Sequence, residues 1–243
     1  MKFAVSSAVP DVVIQPEWCQ SFAMAVARLA KWWGILAPTV EYTTQPGQLD
    51  DPDGYDVQIV QSLPNAPDDI ANHTVVNGKP LCLISWAAVQ AEGGSLTGPE
   101  GLTVAMSHEI LECTIDPLCT KTVPVPNVNG MGDISTPVEV CDWVQGSDYC
   151  EIAGIYVANA VGPRFFMQGA TGLLDIRSDL GPAAVTAAFQ LLPGGYYEKI
   201  QGSQVSNVYG ERVSAVKRAR LDRTGARAGL TRDSRLSQAI PLG

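Results

Sequence analysis

Between residues 16 and 36 the apolar side chains recur at intervals of three and four: Trp18, Phe22, Ala25, Val26, Leu29, Trp33 and Leu36. That spacing lines one face of a helix. Pro16 suits its first turn, and Pro38 is expected to end it. The stretch PTVEYT is a short strand candidate, and QPGQLDDPDG is a turn-rich acidic loop. In YDVQIVQSL, Tyr55, Val57 and Ile59 alternate with polar partners, the period of a half-buried strand. HTVV, the Asn77-Gly78 pair and KPLCLISWAAV then read as a hairpin. Its second arm is apolar on both faces and is expected inside a sheet. EGGSLTGPEG is a loop, and TVAMSHEILECTI is the next helix, stopped at Asp116-Pro117.

The second half is less periodic. The long segment LCTKTVPVPNVNGMGDISTP reads as a loop, and Ile152 to Val157 as a strand. ATGLLDI, AAVTAAFQLLPGGYYEKIQG and SQVSNVYGE suggest short strands around turns at Gly181-Pro182 and Pro193-Gly194-Gly195. In the last 33 residues, Gly225 and Gly229 interrupt any helix after its first turns, which predicts an extended arm. The order of elements gives an α+β chain: a sheet-plus-helices domain over 1–150, a smaller β-rich lobe over 151–210 packed on it, and a C-terminal arm over 211–243.

Composition narrows this picture. Of the 243 residues, 46% are hydrophobic and 17% charged, a globular balance with enough chain for a proper core. No apolar run approaches the roughly 20 residues that a membrane helix needs, so no membrane partner is expected. The start, MKFAVSSAVPDVVIQPEW, is broken by Ser6, Ser7, Pro10 and Asp11 and lacks a secretion signal's apolar region, which predicts a chain made in the cytoplasm. Six cysteines without a C-x-x-C pair are then expected as thiols, with Cys113–Cys119 and Cys141–Cys150 as the alternative local bridges. Charge is unevenly spread. Residues 1–210 hold 8 Lys/Arg against 22 Asp/Glu, whereas residues 211–243 hold 8 against 3. An acidic body repels nucleic acid, while the basic arm attracts it or an acidic protein surface. Arg212, Lys217, Arg218, Arg220, Arg223 and Arg227 are the candidate partner-binding residues.

The candidate chemistry lies in VAMSHEILECTIDP, residues 104–117. Positions four apart on a helix lie one turn apart, so His108 and Glu112 present an imidazole and a carboxylate on one face. Asp116 would extend that row if the helix reached it. Zinc accepts such ligands, and a catalytic site takes three from protein. The chain has only two histidines, His73 and His108, so a three-histidine site is excluded and oxygen ligands must dominate. Zinc is the first expectation for one divalent ion; calcium or manganese is the second, because oxygen-rich sets suit them. His73 sits near the turn and reads as a hairpin residue rather than a ligand. No phosphate-binding Gly-Lys-Ser/Thr loop and no G-x-S-x-G elbow is present. The five tryptophans read as core or interface.

The element order resembles the N-terminal half of the zincin metallopeptidase fold, in which a twisted sheet backs onto the helix with the H-E motif. The local strings are similar to the phosphate-induced, exordium-like family and its bacterial and phage relatives. They are Ser107-His108-Glu109 with Glu112, then Thr114 and Asp116-Pro117, then Glu139 with Asp142, and Pro193 to Tyr196 as PGGY. The resemblance spans roughly residues 15–210, about four-fifths of the chain. It implies a metal held by His108, Glu112 and an acid from the later motif, Glu139 or Asp142. It also implies Glu109 as the base that activates water. The second and third histidines of zincins are missing here, so the motif is H-E-x-x-E.

Two function classes follow. One is a structural component of a phage virion, built on a zincin-like domain with a retained or degenerate metal site. Its arm would dock on other virion proteins or on copies of the chain itself. The other is a metal-dependent, peptidase-like hydrolase using the H-E-x-x-E site. A third reading is nucleic-acid binding through the basic tail.

Overall fold

The computed structural model describes residues 1–44, 54–64, 66–126, 134–146 and 149–222. In chain order its elements are β1 (Lys2–Ser7), α1 (Pro16–Trp33), β2 (Thr39–Tyr42), β3 (Gly54–Val60), β4 (Ala71–Val76) and β5 (Lys79–Ser85). There follow α2 (Trp86–Ala91), α3 (Leu102–Ile115), β6 (Thr122–Pro124), β7 (Ile134–Pro137), β8 (Cys150–Ile152), β9 (Ile155–Val157), β10 (Tyr196–Gln201) and β11 (Gln204–Tyr209). The α+β reading holds. None of the described helices is long and apolar enough to cross a membrane.

The chain divides into two units, and the division does not fall at residue 150. The first unit comprises Met1–Leu118 and Tyr149–Asn159; the second comprises Cys119–Asp148 and Ala160–Gly243. The reason is bonding across long sequence separations. The β8–β9 hairpin returns to the helices of the first unit, where Ser21 Oγ donates to Ile152 O at 2.9 Å and Ala158 N donates to Ser107 Oγ at 2.8 Å.

The first unit is built on a five-stranded sheet in the order β2-β1-β3-β5-β4. β1 runs parallel to β2 and β3, β3 runs parallel to β5, and β4 alone is antiparallel, to β5. The interior position of β1 is not evident from the sequence pattern. Phe3, Ala4 and Val5 are all buried, so this strand lacks the alternation of a half-exposed one, as parallel strands covered on both faces do. β5 lies between β3 and β4, inside the sheet as its apolar pattern predicts. It ends earlier than expected, however: Ser85 accepts a hydrogen bond from Ala88 N at 3.2 Å and caps α2, so Trp86-Ala87-Ala88-Val89 is helical.

α1 buries Trp18, Phe22, Ala25, Val26 and Leu29 along one face, as their spacing requires; Trp33 is half-buried, and Leu36, beyond the helix end, is exposed. Gly34, rather than Pro38, ends it. With φ at 65°, Gly34 occupies the left-handed region, and its N–H and that of Ile35 reach back to the carbonyls of Lys31 and Ala30. α3 is different in kind. Thirteen of its fourteen residues are buried, its polar ones included, so it is a central helix and not a half-solvated one. It packs on α1, β4, β5 and β9.

The second unit contains a four-stranded antiparallel sheet in the order β11-β10-β7-β6. Part of the segment read as a long loop therefore forms strands: β6 and β7 lie within residues 118–137. Trp143 anchors this unit. It stacks on Tyr197 with ring centroids 4.0 Å apart and meets Phe165 edge-on at 5.3 Å, a core role as expected of the tryptophans. ATGLLDI forms no strand; instead Asp175, fully buried, accepts hydrogen bonds from the N–H groups of Ser178, Ala184 and Val185 and ties the loop together.

The start of the C-terminal arm is not extended. Residues 215–222 are helical. Lys217 Nζ donates to Gln145 Oε1 at 2.7 Å, Arg218 donates to the carbonyls of Val213 and Gly210 and lies 5.4 Å over the Tyr209 ring, and Arg220 is buried. Three of the residues expected to face a partner thus bind or bury within their own chain. Acceptors on Gln145, Gly210 and Val213, presented by folded turns, satisfy Lys217 and Arg218 within the chain. Arg212 is exposed, and Arg223 and Arg227 lie outside the described residues.

Candidate metal centre on the buried helix

The hairpin that precedes α3 decides what its acidic residues meet. Asn77 and Gly78, with φ of 52° and 79°, form a two-residue turn that suits the twist of paired strands. The turn fixes the register, pairing Val76 with Lys79, Thr74 with Leu81 and His73 with Cys82. Directly opposed residues point to the same face of a sheet. The Cys82 thiol reaches the Glu109 carbonyl at 3.8 Å, so that face is the one covered by α3. His73 is therefore carried onto α3 as well. Only 5% of its side chain is exposed, so His73 is a hairpin residue as read, but one that faces inward rather than to the surface.

Four ionisable side chains meet there. His73 Nδ1 lies 3.1 Å from Glu109 Oε2 and 3.8 Å from Glu112 Oε2. His108 Nε2 lies 3.3 Å from the same Glu112 oxygen, one helical turn away. The side chains of Glu109 and Glu112 are 7% and 4% exposed, and that of His108 is 9% exposed. Burying charge at this depth costs several kcal/mol per group unless it is paired or bound to a metal. The ligand atoms of His73, Glu109 and Glu112 all lie within 4.8 Å of one another, so this buried grouping is placed to hold a metal ion. Imidazole nitrogen with carboxylate oxygen is a donor set that zinc accepts, so the residues fit the group that the sequence motif implies.

The other sequence-derived ligands fare differently. Asp116 does not extend the row along the helix. It is the residue after the last helical turn, with φ −130° and ψ 70°, because Pro117 disfavours a helical conformation in the residue before it. Glu139 and Asp142 belong to the second unit, where Asp142 is buried at the start of a single 3-10 turn, Asp142–Val144. All six cysteines are buried thiols. Burial pushes the Cys19 thiol up to about 11, which keeps it protonated and unreactive at neutral pH.

Compared with protein-family models, with curated sequences and with solved structures, the chain finds no match in any of the three. Its function is therefore argued from the site.

Proposed function

We propose that the chain is a metal-dependent hydrolase centred on α3, with His108 and Glu112 as ligands and Glu109 as the general base. One observation carries this: two carboxylates and two imidazoles are buried together on the central helix and the strand beside it. The sheet that backs onto α3 supports the zincin-like resemblance. A divalent ion bound there, zinc by the donor chemistry, supplies Lewis-acid polarisation of a carbonyl and lowers the pKa of water. Glu109, in the helix position next to His108, takes the proton from the attacking water and passes it to the leaving group. The burial of all these groups excludes bulk water and strengthens their mutual electrostatics.

Metal analysis of protein purified without chelator tests the ligands. One equivalent of zinc is expected in the wild type and none in a His108→Ala/Glu112→Ala double variant. A metal-free wild type that takes up no added zinc sinks the proposal. Glu109→Gln then tests the base: hydrolysis of a mixed peptide or ester panel is expected to fall about 10²–10⁴-fold with the metal retained.

A structural role in a phage particle is the second reading, favoured by the charge contrast between residues 1–210 and 211–243. It predicts salt-sensitive association of the full chain with itself or with another virion protein. That association should disappear when the chain is ended at residue 222, which leaves the docked part of the arm in place.

A further inference from the structure

We infer that His73, from the edge strand β4, is the third protein ligand of the metal on α3. The inference rests on the proposed metal centre and replaces the acid expected from the later motif. The centre is then completed within the first unit, by a side chain more than thirty positions upstream of the H-E-x-x-E motif.

The distances suit ligation. In a tetrahedral zinc site with bonds of about 2.0–2.2 Å, neighbouring ligand atoms stand ~3.3–3.6 Å apart. Glu112 Oε2 has His108 Nε2 at 3.3 Å on one side and His73 Nδ1 at 3.8 Å on the other. One carboxylate oxygen thus neighbours both imidazoles of the chain, and the ligand atoms of His73, Glu109 and Glu112 lie within 4.8 Å of one another, whereas His108 is not in that set. Joining His108 to this set asks the two imidazoles to draw together around Glu112, a movement that side-chain rotation supplies. Glu109 Oε2, 3.1 Å from His73 Nδ1, stands at the edge of the same centre.

The placement is also specified rather than incidental. His73 is delivered by a two-residue hairpin whose register allows no slack, on a strand paired with the buried β5. Moving the register by one residue turns the side chain to the opposite face. The replacement of the second motif histidine by Glu112 thereby finds a chemical explanation. The helix supplies one nitrogen and one oxygen, and the sheet returns the second nitrogen. Such a set is more selective for zinc than one nitrogen with two or three oxygens, which calcium and manganese also accept.

The chain's two histidines make the test direct. Long-range nitrogen–proton NMR spectra of the full-length, metal-free protein show two imidazoles, assigned with His73→Gln and His108→Gln. Zinc chloride is then titrated into the wild type. The expected result is that Nδ1 of His73 and a nitrogen of His108 both move to the shift of a metal-bound nitrogen, with one equivalent of zinc. If only His108 responds, His73 is no ligand: the inference fails and the proposed metal centre stands. If neither responds and no zinc is retained, the metal centre itself fails and takes the inference with it.

Affinity gives a second readout. By competition with a chromophoric chelator, His73→Gln is expected to weaken zinc binding by more than 100-fold. Loss of an outer partner that merely orients a ligand costs roughly 10–100-fold. A smaller loss, in protein whose circular dichroism matches wild type, makes His73 a hydrogen-bond partner of Glu109 and overturns the inference.

Discussion

Ser107, the residue before the motif histidine, has no freedom left. It donates to Val104 O at 3.0 Å, accepts from Ala158 N at 2.8 Å, and is fully buried. Ser107→Ala leaves the Ala158 N–H buried without that acceptor and should destabilise the protein by about 1–3 kcal/mol, measurable by urea unfolding. The site residues were unequally legible at this scale. His108, Glu109 and Glu112 announce themselves by helical spacing, because ligands one turn apart need only local geometry. His73 does not, because its role depends on a cross-strand pairing. The signal was nonetheless present in the Asn77-Gly78 turn, since counting outward from it pairs His73 with Cys82 in the most apolar strand of the hairpin. Glu139 and Asp142 stand out by motif alone, and no periodicity ties them to α3.

Among the elements, α1 and the β4–β5 hairpin were legible because each carries a clear period or turn. β1 and α2 were not. A strand buried on both faces and a short apolar helix share the same unbroken apolar pattern, and periodicity cannot separate them. The end of α1 gives a test of the capping account. Gly34→Ala keeps the space, since no atom lies within 4 Å of the added carbon, but forces a side chain into the left-handed region. It should cost about 1 kcal/mol in thermal or urea unfolding. β3 gives a pH test. Burial raises the carboxyl of Asp56, with Lys79 partly opposing, so the fold disfavours the ionised form. That cost is present above the ordinary carboxylate value of 3.8 and vanishes as pH falls below it. Asp56→Asn should therefore raise Tm at pH 7 and leave it unchanged near pH 3.

For the whole molecule, a bound ion couples to stability. If the proposed centre is correct, saturating zinc at 100 times its Kd adds about 2.7 kcal/mol to unfolding, and chelation removes it. A Tm unmoved by zinc and by chelator would count against the centre. The division into units was the least legible feature at this scale. Nothing in the sequence marks residues 149–159 as belonging with residues 1–118, because the tie is made by single hydrogen bonds across long separations. The arm was half legible: its charge is plain in the sequence, but Lys217 and Arg218 find partners that only the folded turns present.

The discontinuity of the first unit sets a timetable for the ribosome. Ser107 waits for Ala158, which is made 51 residues later. At about 5–20 residues per second, that is ~3–10 s of translation. Throughout that interval the nascent chain holds its acidic, histidine-bearing helix without the hairpin that later packs on it. A metal centre assembled early would bridge strand and helix before the polypeptide is finished. On the proposed centre, zinc supplied during synthesis should raise the yield of folded protein more than zinc added afterwards.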